Sequence, residues 1–192
     1  MDKDVLTPEK SMDLITRVIS EARNKFEENG FIYLFWGALL GIVSLTQFIL
    51  IKQELYEISW YPYLLMPLGA VYTFVYFFKK KGKRKQNQIS RIISFSWIAI
   101  SVNMMILGFL FYPYLKESLI PVILILLSAG IIMSGSSLNS KILLLSGIII
   151  NISAFIGFYI DLSYQPLLMS IVSFVAVFIP GVFLMIQHKK RA

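Results

Sequence analysis

Cysteine is absent from the chain, and histidine occurs once, as His188 near the C-terminal end. These absences exclude disulfides, thiolate metal sites, a thiol nucleophile and any pair of imidazole ligands. Charged residues make up 15% of the 192 residues, and six long apolar stretches contain none of them. Proton relays, ion coupling and voltage sensing use ionisable side chains within membrane spans, so a proton-driven pump is disfavoured. Intramembrane catalysis is disfavoured equally, because no His-Glu zinc motif, Asp pair or serine with a nearby base is available to activate a nucleophile. Gly-rich phosphate loops of the two standard patterns are also lacking. Neither an enzymatic activity, a cofactor nor a metal site is therefore expected. The first 30 residues are charged throughout and hold no uninterrupted apolar run ahead of Phe31, so a cleaved secretory signal is not expected either.

What the chain has in abundance is apolar surface. It is 57% hydrophobic and 15% aromatic, with a mean hydropathy of +0.71, more than a soluble domain of this length buries. A bilayer core of about 30 Å needs roughly 20 apolar helical residues. That template fits residues 31–51, 60–78, 92–115, 119–138, 142–160 and 166–187. The expected fold is an all-α membrane protein, a six-transmembrane-helix bundle preceded by a cytoplasmic amphipathic helix over residues 1–30. The fourth stretch is the weakest, because its apolar part runs into Ser134-Gly135-Ser136-Ser137. It must either extend through these residues, lie shielded within the bundle, or be re-entrant.

Lys and Arg crowd the cytoplasmic ends of membrane helices, so their distribution gives an orientation. With the N-terminus inside, one face receives Lys3, Lys10, Arg17, Arg23 and Lys25, then Lys79, Lys80, Lys81, Lys83, Arg84, Lys85 and Arg91, then Lys141, Lys189, Lys190 and Arg191. The other receives only Lys52 and Lys116 of the 18 basic residues. Both termini are then cytoplasmic. Aromatic girdles agree, with Tyr56, Trp60, Tyr61, Tyr63, Tyr112, Tyr114, Tyr159 and Tyr164 outside and Tyr33, Trp36, Tyr72, Tyr76 and Trp97 inside. Tyr61-Pro62-Tyr63-Leu64 and Tyr112-Pro113-Tyr114-Leu115 recur at outer turns, with Ser163-Tyr164-Gln165-Pro166-Leu167 as a looser copy. Two explanations stand: shared turn chemistry, or three repeated helical hairpins.

Thr7-Pro8-Glu9 reads as a helix start and Asn29-Gly30 as its stop. Between them Met12, Ile15, Ile19, Ala22 and Phe26 form one apolar stripe, opposite a face with i,i+4 charge pairs. The stripe lies on the bundle or headgroups, or it docks on a protein partner or a second copy. The run from Lys79 to Arg91 has seven basic residues and no acid, which suits topology anchoring and anionic lipid headgroups. Without aromatics to stack bases in this loop, nucleic acid is disfavoured as a partner.

Within the spans, small and amide-bearing residues fall at helical spacing. They include Gly37, Gly41, Ser44 and Gln47; Gly69 and Thr73; Ser94, Ser101 and Gly108; and Ser146, Gly147, Asn151, Ser153 and Gly157. Gly37, Gly41, Gly108 and Gly157 are read as helix-packing positions. Gln47, Asn103 and Asn151, with Ser134, Ser146 and Ser153, are candidate interhelical ties or a polar path, since an amide in hydrocarbon needs a partner. The inner junction of spans four and five, with Gly130, Ser134, Gly135, Ser136, Ser137, Asn139 and Ser146, lacks an aromatic belt and could open as a small polar cavity.

Leu6-Thr7-Pro8-Glu9-Lys10-Ser11, then Glu28-Asn29-Gly30 before Phe35-Trp36-Gly37, and Met66-Pro67-Leu68-Gly69 resemble an uncharacterised group of small multi-pass inner-membrane proteins of Bacteroidetes-type bacteria. The resemblance covers about the first 70 residues and implies a bacterial inner membrane and a gene neighbourhood with small winged-helix regulators. It transfers no catalytic role. The functional expectation is a non-enzymatic accessory or regulatory membrane protein acting through its N-terminal helix. The alternative is a small uncoupled transporter or permease component with a path near Asn103 and Asn151.

Overall fold

The computed structural model describes residues 8–27, 30–80 and 88–191. Every regular element among these residues is helical. α1 spans Pro8–Glu27 and α2 Gly30–Lys52; α3 is Leu65–Lys80, reached through a 3-10 turn at Tyr61–Leu64. α4 is Gln88–Phe109, α5 the single turn Tyr112–Leu115, α6 Leu119–Ser137 and α7 Lys141–Gly157. α8, Gln165–Ser173, and α9, Ile179–Arg191, are joined by a π turn, Phe174–Phe178, into one rod.

Proline placement explains many of these bounds. All seven prolines lie in the first turn of a helix or 3-10 segment, where the missing N–H costs least, but at Pro180 helical backbone runs on from α8 and the π turn without a break. Pro113 also ends α4 at Phe109, so the expected 92–115 stretch is two segments. Pro180 alone is inside a rod. In a regular α-helix its ring would clash with the carbonyl four residues back, that of Ala176, and the π turn Phe174–Phe178 widens the backbone at that point. Gly30, expected as a stop, instead opens α2.

Among the described residues four segments are long and apolar enough to cross a bilayer: Gly30–Lys52, Arg91–Phe109, Tyr112–Ser137 and Gln165–Gln187. The fourth expected span continues as helix through its Ser/Gly stretch to Ser137, and half of its apolar window is buried. The short ones are instead α3 and α7, with 16 and 17 residues. At 1.5 Å per residue they reach roughly 24–26 Å.

Two antiparallel pairings make the centre. α6 and α7 pack along their whole length, and α2 packs against the α8–α9 rod. In both, glycine removes the side chain where backbones meet. A Cβ on Gly37 would lie 2.5 Å from the Phe178 nitrogen, on Gly181 2.5 Å from the Leu34 nitrogen, and on Gly135 2.7 Å from the Leu144 nitrogen. α3 flanks α2, α4 flanks α6, and α1 touches the bundle at α9 and α4. The core runs through Leu124, Ile131, Leu143, Ile150, Met169 and Val172, while Phe74, Phe95, Ile148 and Phe155 are exposed on the perimeter. Apolar groups outside and inside alike identify lipid as the solvent of the bundle.

Candidate functional site

A repeated relay ties the helices. Three times, an N–H donor on one helix meets a hydroxyl on its neighbour, and that hydroxyl donates to a carbonyl of its own helix. Trp36 Nε1 donates to Thr73 Oγ1 at 3.1 Å, and Thr73 to the Gly69 carbonyl at 2.9 Å. Trp97 Nε1 donates to Ser134 Oγ at 2.8 Å, and Ser134 to the Gly130 carbonyl at 2.8 Å. Asn151 Nδ2 donates to Ser128 Oγ at 3.0 Å, and Ser128 to the Ile125 carbonyl at 2.8 Å. A hydroxyl is one donor and an acceptor, so both its functions are used where water is absent.

The two tryptophan relays match position for position. Trp36 and Trp97, Gly69 and Gly130, and Thr73 and Ser134 are each 61 residues apart. In each, the indole lies over the glycine: a Cβ on Gly69 would lie 3.4 Å from the Trp36 ring, and one on Gly130 3.2 Å from the Trp97 ring. The α2–α3 and α4–α6 pairs therefore share a device that neither Trp spacing nor turn motifs reveal alone.

The inner junction of α6 and α7 is filled. Tyr33, expected in the inner aromatic belt, is only 6% exposed and packs edge-on to Trp97, ring centroids 6.4 Å apart. Ser134 is occupied by Trp97, Ser146 bonds the Ile142 carbonyl of its own helix, and Gly135 packs against Leu143 and Leu144. The aromatics missing from this junction in the sequence arrive from α2 and α4. Asn139 closes the turn with φ 50°, the amides of Ser140 and Asn139 bonding the carbonyls of Gly135 and Ser136.

Asn151 forms an interhelical tie, but Asn103 does not. Its Nδ2 bonds the Ala99 carbonyl one turn back on α4 and the side chain is exposed, because α4 meets the bundle with its Ile93, Trp97 and Met104 face. Ser153 likewise bonds only Ile149 of its own helix. Gln47 has a buried Oε1 with no hydrogen-bond partner. Gly157 packs on Pro121 and Leu168, but nothing lies within 4 Å of a Cβ on Gly108, so Gly108 is not a packing position within the chain.

Gln165 is a tie the sequence reading missed, since its place beside Pro166 reads as turn chemistry. It is 1% exposed, and its Nε2 lies 2.7, 3.2 and 3.3 Å from the carbonyls of Glu117, Ile160 and Gly157. One amide thus holds the end of α7, the start of α8 and the turn before α6. Ser170 adds a bond to the Gly41 carbonyl at 2.9 Å, and Ser44 shares a hydrogen bond with Tyr63 at 3.1 Å. At the end of α2, the Lys52 ammonium sits 3.8 Å from the Tyr164 ring centroid.

On α1, Met12 is 69% exposed, Ile15 54% and Ile19 40%, while Ser11 and Val18 are half-buried. The side chains of Ala22 and Phe26, and of Lys79 and Lys80, lie outside the described residues, as do Lys81, Lys83, Arg84 and Lys85 altogether. Arg91 is exposed at the start of α4. Among the described residues no group of three His, Asp or Glu side chains is placed to hold a metal ion.

The fold and its polar ties define a helical membrane protein. No protein-family model matches the chain, and neither curated proteins nor solved structures include a match.

Proposed function

We propose that the chain is a non-enzymatic bacterial inner-membrane protein with both termini cytoplasmic, acting as an accessory or regulatory subunit through α1. α3 and α7 complete six crossings in this reading, and the basic 79–91 segment anchors the cytoplasmic side among anionic headgroups. The observation that carries the reading is the exposed row Met12, Ile15 and Ile19 on a helix outside the four bilayer-length segments. An apolar row on a helix carrying both charge signs fits a protein groove better than a lipid surface, where Lys and Arg prevail. Capture of the full chain in mild detergent, followed by mass spectrometry, tests it. A stoichiometric partner should copurify with the wild type and be lost with Ile15→Glu, and recovery of none from wild type would count against an accessory role.

The transporter reading draws on one observation, the buried and unpartnered Gln47 Oε1. It requires solute flux in vesicles that Gln47→Leu or Asn151→Leu abolishes. The accessory reading requires that both substitutions leave the cellular phenotype intact while removal of residues 1–29 destroys it.

A further inference from the structure

α4 is the least covered of the bilayer-length segments: 6% of its apolar window is buried, against 50% for the α6 segment and the α8–α9 rod. It meets the bundle chiefly through α6. The match between the two tryptophan relays makes this exposure informative. Shifting by 61 residues places Gly37 and Gly41 of α2 on Ile98 and Val102 of α4. In α2 that face is covered by the α8–α9 rod; in α4, Ile98 and Val102 are exposed.

Lipid accounts for most of this surface but not for Asn103. The residue is about 4.5 Å from the midpoint of the span Arg91–Phe109. A carboxamide has two donor hydrogens and two acceptor lone pairs. Among the described residues Asn103 makes one hydrogen bond, Nδ2 to the Ala99 carbonyl at 2.8 Å, and leaves Oδ1 and the other N–H to the hydrocarbon. The hydroxyls of Thr46 and Ser96, by contrast, are satisfied within their own helices, bonding the Ile42 and Ile92 carbonyls. One turn and two turns before Asn103, on the same face, are the small Ala99 and Ser96, which let a second backbone come close.

We infer that Asn103 is the centre of a homodimer contact, with α4 of one copy against α4 of a second copy across a two-fold axis. The argument for a second copy is self-complementarity. A two-fold axis beside Asn103 lets the free N–H of each amide meet Oδ1 of the other, so one residue supplies both halves of the contact. A foreign helix would need its own matched donor and acceptor at the same depth.

Because the chain has no cysteine, any introduced one is unique. Ala99→Cys keeps Asn103 and reports on its face, and Phe155→Cys on the exposed side of α7 is the lipid-facing control. In native membranes with a mild oxidant, Ala99→Cys should give a band at twice the 22.0 kDa chain mass, and Phe155→Cys should not. Adding Asn103→Leu should lower the cross-linked fraction, corresponding to dimerisation weakened about tenfold, whereas Asn103→Gln should keep it. Equal cross-linking of Ala99→Cys and Phe155→Cys would overturn the inference. Adducts only to proteins of other mass, or a cross-link untouched by Asn103→Leu, would overturn it as well. Ala99 and Asn103 are both exposed, so folding of the protomer is not at stake in either substitution.

Discussion

Glu54 and Asn139 both adopt positive φ, 61° and 50°, and both do so just past the end of a helix. The hydrogen bonds are the same in each: Leu55 to Leu50 and Glu54 to Ile51 after α2, Ser140 to Gly135 and Asn139 to Ser136 after α6. This is the Schellman arrangement, which favours glycine, tolerates asparagine and burdens glutamate. Glu54→Gly should therefore raise stability by about 0.5–1 kcal/mol, and Asn139→Val should lower it by about 1–2 kcal/mol. Thermal unfolding of the purified protein in detergent checks both signs. Gly37→Leu is the severe case. Its Cβ alone would come within 2.5 Å of the Phe178 backbone, so α2 and the rod must part, and loss of the folded form in the same assay is expected.

At the scale of elements, the paired tryptophan relays make a quantitative demand. Trp36→Phe and Trp97→Phe each remove an indole N–H while keeping most of the ring, and each leaves a hydroxyl still bonded to its own helix. Each should cost about 0.5–1.5 kcal/mol, and the two should add in the double variant, since they join different helix pairs. Markedly unequal or non-additive costs, measured by unfolding in detergent, would show that the two devices are not equivalent. The sequence offered Trp36 and Trp97 as interface aromatics, Gly69 and Thr73 as a small-residue stripe, and Ser134 as a candidate tie without its partner. Which hydroxyl meets which indole depends on helix rotation, and a span apolar on all sides carries too weak a periodicity to set it. The same gap explains why Gly108 and Asn103 were read as inward and found outward, and why Gln165 was read as part of a turn. Helix existence was far more legible. Residues 31–51 and 119–138 match α2 and α6 to within one residue at each end, because apolar length and proline position alone decide them.

At the scale of the molecule, the proposed orientation rests on the basic segment between α3 and α4. Single cysteines at Lys83 and Glu57 test it with a membrane-impermeant thiol reagent. Glu57→Cys should label from outside intact cells and Lys83→Cys only after the membrane is opened; labelling of Lys83→Cys in intact cells would reverse the assignment. The glycine seam between α2 and the α8–α9 rod has a further consequence, for biogenesis. Ser170 and its partner Gly41 are 129 residues apart, so α2 is made long before the rod that is its main neighbour. At 5–20 residues per second that is a wait of roughly 6–25 s, during which α2 sits in the bilayer with its bare glycine face unmated. A nascent chain stalled before Gln165 should therefore be a target for membrane quality-control proteases, whereas one in which the α8–α9 rod has entered the bilayer should escape them.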